Sequence, residues 1–353
     1  MQKDLGMNKI ITKLLFIFFL LISFLAKSSP LNLSFPIDHG RHSNAELEWW
    51  NFFGHLVDSN NHVFGFTLNF IRTGVPPQQP PSLWITEDIY TSYFTITDGE
   101  NKQFYTQEKM NRTSFNFAGA STTQLSIWNR DWTSFMDLST LFLQAETKEA
   151  TLKLRLALAK PPLLFGQNGF FDSLNLYYYA LPNLQGEGEL RLGEQSYRII
   201  SVKGGMDHAF QMKNNSDLLW DKFVIQLNNG DDIFLYILSS KNSTFISPES
   251  FCIINYADSK SVFLKLADFQ FSKLNSWYSE TTKINYPSGW SLNIPSANYH
   301  LEITPILKNQ EIIAMNDIYW QGQSFIIGDK DNTAVKGYAY VELSKKINRD
   351  YIL

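Results

Sequence analysis

The sequence predicts an all-β protein, and three observations carry that prediction. Apolar stretches are short, and they either alternate with polar residues or are rich in β-branched and aromatic side chains, as in HVFGFTLNF (62–70), ATLKLRLAL (150–158), DIFLYIL (232–238) and SVFLKLADFQF (261–271). Clusters of turn-forming residues separate them: DSNN (58–61), TDGEN (97–101), LNNGDD (227–232) and GDKDN (328–332). No stretch sustains a helical apolar period with capping residues at both ends. Short strands spaced by turns at this density build β-sandwiches or barrels. A chain of 353 residues exceeds what one hydrophobic core ordinarily serves, so two such domains are expected.

Taken from the N-terminus, residues 1–28 read as a signal peptide. Lys3, Lys9 and Lys13 precede an apolar run from Leu14 to Leu25, and Ala26-Lys27-Ser28 offers small residues for cleavage. The run is shorter than the roughly 20 residues a membrane-spanning helix needs; left uncleaved, it would hold the chain close to a membrane. Cleavage after Ser28 removes four lysines and Asp4, taking the formal charge from −4 to −7. The expectation is a mildly acidic exported protein, periplasmic or secreted.

Beyond the signal, TGVPPQQPPS (73–82) reads as a stiff surface loop. Aromatic residues at 15% against only 18% charged ones argue for large apolar interiors and against disorder. No segment concentrates Lys and Arg, which argues against a nucleic-acid partner. Cys252 is the single cysteine, so no internal disulfide forms, and its place in SFCIINY predicts a buried thiol.

The chain also echoes itself. DHGRHSNAELEWW (38–50) has a thinner counterpart in MDHAFQMKNNSDLLW (206–220). A shift of 169 lays Asp38-His39 on Asp207-His208; a shift of 170 lays Trp50 on Trp220 and Val63-Phe64-Gly65-Phe66 on Ile233-Phe234-Leu235-Tyr236. A one-residue loop insertion accounts for the slip. The expectation is an internal duplication, with an N-terminal domain over 31–198, a C-terminal domain over 199–353, and the two Asp-His pairs in equivalent places.

These residues resemble the AttH/carotenoid 1,2-hydratase family. DHGRHSNAELEWWNFFGHL (38–56), KPPLLFGQNGFF (160–171) with the YYY that follows (177–179), VKGGMDHAF (202–210) and IYWQGQSFIIG…KGYAYVEL (318–343) occur in order across nearly all of the chain beyond the signal. The resemblance implies two lipocalin-like β-barrel or sandwich domains. It also implies kinship with hydratases that add water across an isoprenoid double bond and with pericyclases that fold polyenes toward cycloaddition. The chain departs from the family at Gly205, where an aromatic residue is usual, at Ala209, where an acid is frequent, and at Asn51, where Tyr commonly follows the Trp pair.

Hydration of an unactivated alkene needs a strong proton donor, an apolar pocket that shelters the cation, and an ordered water. Asp207 and Asp38 are the candidate donors, with His208, His39 and His42 as proton relays. Trp49, Trp50, Trp220 and Trp290 are candidate pocket walls, since tryptophan faces attract a cation. Glu48, His42 and Tyr178, the middle of the YYY, join them as candidate ligand contacts. Each has a plainer alternative: the Asp-His pairs as loop anchors, Glu48 as a buried partner for Arg72, the tryptophans as core. His39 and His42 lie three apart in a loop-like segment, and HExxH and Cys pairs are absent, so neither metal nor cofactor is expected. G-x-S-x-G is absent too, which leaves nucleophilic hydrolysis without visible machinery.

Three functions stay open. One is an enzyme of the hydratase (hydro-lyase) or isomerase/cyclase kind acting on an apolar isoprenoid-, polyene- or lipid-like small molecule. The second is a non-catalytic periplasmic carrier for such a ligand, since lipocalin-like barrels hold apolar molecules. The third is a structural or assembly role.

Overall fold

The computed structural model describes residues 32–75, 87–166, 168–213, 218–240, 245–315 and 318–344. The signal-peptide segment and most of TGVPPQQPPS lie outside them. Ser34–Leu353 forms one compact unit, built from two curled antiparallel sheets that make two barrel-like domains.

The first sheet has thirteen strands and begins as a meander of β1 (Leu47–Asp58), β2 (Val63–Gly74), β3 (Asp88–Asp98) and β4 (Gln103–Arg112). On its other side β1 pairs with Gln195–Gln211, and the sheet continues through Leu176–Leu192 and Ala150–Leu158 to end at Ala118–Ala120. The second sheet, of ten strands, repeats this plan. Leu218–Leu227, Asp232–Ser240, Phe251–Asn255 and Ser261–Lys265 form the meander, Leu218–Leu227 pairs back with Thr333–Leu343, and the far end is Gln270–Lys273. In both sheets the two ends are neighbours in sequence, joined through a short 3-10 turn, Ser114–Asn116 in the first and Leu266–Asp268 in the second. Curling the ends toward each other shields edge strands from outside pairing. The first sheet nearly closes, and the second stops at a half-barrel.

The repeated strand order does not restart at residue 199. Gln195–Gln211 is one continuous strand held between β1 and Leu176–Leu192, so the change of sheet comes after Gln211. Asp207-His208 lies on that closing strand of the first sheet, whereas Asp38-His39 lies in a 3-10 turn, Ile37–His39, ahead of β1. The two pairs are therefore not equivalent. The paired hairpins fix the offset at 169: Val57 faces Val63 and Gln226 faces Asp232. On that offset Trp220 answers to Asn51 instead of Trp50, and a slip of one residue exchanges the two faces of a strand. SVFLKLADFQF, expected as one strand, is broken by the Leu266–Asp268 turn, which sends its halves to opposite ends of the second sheet.

β1 is apolar on both faces because both are covered. Trp50 and Phe52 point into the first barrel, while Phe53 joins a core between the sheets with Phe165, Tyr178, Phe234, Tyr236 and Tyr340. Each buried ring contributes about 1.5–3 kcal/mol. The second barrel has its own core around Phe223, Leu235, Trp290 and Trp320. Beside the apolar inter-sheet core runs a polar seam: Thr67 and Asn69 donate to Gln321 Oε1, and Thr97 donates to Gln310 Oε1 at 2.7 Å. Gly65 permits the approach there, since a Cβ would stand 1.8 Å from Gln323 Cγ.

Candidate functional site between the sheets

A cavity of about 430 Å³ lies between the two sheets, within the roughly 300–1,000 Å³ typical of small-molecule sites. Trp49 and Trp220, whose rings are 5.6 Å apart, wall it together with Tyr93, Tyr319 and Ile71. Asn51, Asn69, Lys222, Gln321 and Glu342 supply its polar side. Strand alternation places them: Trp49 and Asn51 share one face of β1, and Trp220 and Lys222 share one face of Leu218–Leu227.

Lys222 is the centre of the polar side. Its Nζ lies 3.0 Å from Asp207 Oδ2 and 3.1 Å from Glu342 Oε2. Asn51 Nδ2 donates to the same Asp207 oxygen at 3.2 Å, and Tyr340 OH donates to Glu342 Oε2 at 3.0 Å. The two carboxyl groups are driven apart. Burial pushes Asp207 above the ordinary carboxylate range, against the pull of Lys222. Burial also works to raise Glu342, but Lys222, Tyr340 and Trp220 outweigh it and hold that carboxylate below its usual range. One acid inclined to keep its proton and one inclined to lose it, sharing a lysine, is the pattern of an acid and base pair.

A second polar cluster fills the first barrel, on the opposite face of β1. Glu48, fully buried, takes hydrogen bonds on Oε1 from His42 Nδ1 (2.8 Å) and His208 Nε2 (3.0 Å), and on Oε2 from Arg72 Nε (3.0 Å). Arg72 Nη1 also meets Asp88 at 2.6 Å, and Arg41 pairs with the other Asp88 oxygen. His42 Nε2 meets Asp38 at 2.9 Å. Since an ionised carboxylate only accepts, His208 donates to Glu48 through Nε2, leaving Nδ1 to accept from Tyr179 OH at 3.1 Å; Tyr179 in turn takes a bond from His39 Nδ1 at 2.7 Å. Burial works to raise Glu48, but the bonds from His208 and His42 bring it down to about 2. Burial lowers His39 to about 4, with His208 adding to the effect. Ligand-type atoms of His42, Glu48 and His208 lie within 4.8 Å of one another, yet they are bonded to each other and the Arg72 guanidinium supplies the cation.

The expected site residues are thus divided. Trp49, Trp220 and Trp50 border the cavity, although the Trp50 indole itself stacks on His208 inside the first barrel. Asp207 stands directly behind Asn51 and Lys222. Asp38, His39, His42, Glu48 and His208 belong to the barrel cluster, so His208 cannot relay protons to Asp207 directly: neighbours on a strand face opposite ways. Tyr178 is enclosed in the inter-sheet core, bonded to Tyr236 OH. Trp290 is enclosed in the second barrel's core, because its strand turns that residue away from the first sheet. Glu48 does pair with Arg72. Sequence reasoning passed over Lys222, Glu342, Tyr340, Asn69 and Gln321. Their signal, Tyr340 apart, was a charge or amide on an otherwise apolar strand, as in LLWDKFVIQL and KGYAYVEL.

Fold and site together define a two-barrel, lipocalin-like protein with an aromatic-walled cavity between its sheets. The chain belongs to the AttH-like family, whose model matches residues 26–345. It is similar in structure to an AttH protein from Nitrosomonas europaea (TM-score 0.78, 20% identity, covering 92% of this chain and 100% of that one). It is also similar to kievitone hydratase from Nectria haematococca (TM-score 0.71, 15% identity, 90% and 95% covered). CghA, in a structure with Sch210972, is a more distant likeness (TM-score 0.54, 14% identity, 86% and 90% covered). At these identities the likeness is one of fold. A comparison with curated proteins returned no match.

Proposed function

We propose that the chain binds an apolar, isoprenoid- or lipid-like small molecule in the inter-sheet cavity and carries out acid-assisted hydration or isomerisation/cyclisation on it. The opposed pKa shifts of Asp207 and Glu342 across Lys222 are the observation that carries this reading. In the hydration form, the Asn51 side chain, which covers Asp207, turns aside, and the Asp207 carboxyl gives its proton to an alkene carbon and is left as a carboxylate paired with Lys222. The cation forms among aromatic faces, water adds to it, and the proton that water sheds passes to Glu342. Membership of a family with hydratase-like structural neighbours supports the same direction.

A carrier for the same class of ligand is the second reading, favoured by the position of Asp207 behind Asn51 and Lys222 instead of in the cavity wall. Mass spectrometry of molecules copurifying with wild type and with Asp207→Asn separates the two. An enzyme retains substrate and loses product in the variant; a carrier keeps an unchanged cargo. Export to the periplasm or medium is part of the proposal, resting on the lysine-flanked apolar run at 14–25. Fractionation with an antibody tests it, and a full-length chain found only in the cytoplasm would contradict it.

A further inference from the structure

Around the cavity, two buried amide oxygens are left without hydrogen-bond partners. The two carboxylates fix the amide orientations. Gln321 Nε2 is directed to Glu342 at 3.4 Å, so Gln321 Oε1 accepts from Asn69 Nδ2 at 3.0 Å, and Asn69 Oδ1 is left over. Asn51 Nδ2 is directed to Asp207, so Asn51 Oδ1 is left over as well. Both amide oxygens are closed to solvent and have no partner among the described residues. An unmet buried acceptor is unfavourable, and a donor brought by a ligand relieves it. The charges agree: with Asp207 and Glu342 ionised against Lys222, the polar side carries one net negative charge, and with Asp207 protonated it is neutral. Neither state attracts an anion.

Resting on the reading of this cavity as the ligand site, we infer that its ligand bears a hydrogen-bond-donating head, a hydroxyl or an amine, on an apolar body. The body lies against the wall that Trp49 and Trp220 form together, and the head meets Asn69 and Asn51, which act as specificity-determining residues.

Four probes with one body test this: farnesol, farnesylamine, farnesyl methyl ether and farnesoate, each titrated into the full chain with tryptophan fluorescence as the readout. The alcohol and the amine should bind about tenfold or more tighter than the ether, which keeps the oxygen but caps it with a methyl group and so cannot donate. Farnesoate should bind most weakly. Asn69→Leu should bring the alcohol down to the level of the ether and leave the ether unchanged. An amine tighter than the alcohol assigns an ammonium head, and the reverse assigns a hydroxyl. An ether that binds wild type as tightly as the alcohol, or a folded Asn69→Leu with an unchanged alcohol-to-ether ratio, overturns the inference while the cavity reading stands. Absence of any fluorescence response to all four overturns both.

Discussion

Asp207 and His208 are neighbours on one strand, and their side chains stand on opposite faces of the sheet: Asp207 Oδ2 meets Lys222 Nζ at 3.0 Å beside the inter-sheet cavity, and His208 Nε2 meets Glu48 Oε1 at 3.0 Å inside the first barrel. A dipeptide that reads as one motif therefore supplies two compartments. Substitutions should separate them. Asp207→Asn keeps shape and much of the hydrogen bonding, so it should fold normally and lose about 10²- to 10⁴-fold in turnover. His208→Leu leaves Glu48 and Tyr179 short of a partner and should lower stability by about 1–3 kcal/mol with ligand affinity unchanged. Paired urea melts and fluorescence titrations check this, and loss of ligand affinity in His208→Leu would contradict the division.

Glu48 joins the turn before β1 to the first sheet, through His42, His208 and Arg72. Removing its charge leaves the buried Arg72 guanidinium to Asp88, a carboxylate it shares with Arg41. Glu48→Gln should therefore cost about 3–5 kcal/mol, read as a lower urea midpoint; a midpoint equal to wild type would show that the cluster adds nothing to the fold.

Acid should weaken the protein in two stages. Burial holds His39 down to about 4, and burial with Lys203 nearby holds His55 down to about 3. The unfolded chain takes up protons near pH 6.5 that these folded sites refuse, so their contribution is complete above about 6.5 and is lost as pH falls toward 3. Glu48, at about 2 when folded, contributes fully above its ordinary 4.5 and loses that contribution as pH falls through the range down to 2. Burial raises Asp207 and Asp232, which act in the opposite sense as pH falls below about 6, so the test is a difference: between neutral pH and about pH 4 the urea midpoint of wild type should lose more than that of His55→Phe. A loss no larger in wild type than in His55→Phe would contradict the His55 assignment.

Tryptophan substitutions should sort by compartment. Trp220→Phe should remove much of the fluorescence response to an apolar probe, because Trp220 walls the cavity. Trp290→Phe, in the second barrel's core, should lower stability and leave the response intact. The opposite pattern would move the ligand into the second barrel.

The fold was legible because strands and turns declare themselves locally: β2 and Ala150–Leu158 fall where alternation put them. The repeated hairpin was legible, yet its offset slipped by one, since Val63-Phe64 and Ile233-Phe234 look alike on both faces when both faces are buried. The site was half legible. Trp49, Trp220 and Asp207 stood out as residue types, but which face each occupies depends on register, and register is set by pairing with strands more than a hundred residues away, such as Asn51 with Asp207. Lys222 and Glu342 were invisible for the same reason. Only the return of Thr333–Leu343 to Leu218–Leu227 brings them together.

The central claim is that ligand and acid meet between the sheets, and a crystal structure of the chain soaked with farnesol tests it most directly. The account predicts density in the inter-sheet cavity against the Trp49 and Trp220 rings, with the hydroxyl pointing toward Asn69 and the Asp207–Lys222–Glu342 group. Density lodged inside the first barrel against Glu48 and His208, with the inter-sheet cavity holding none, would contradict it.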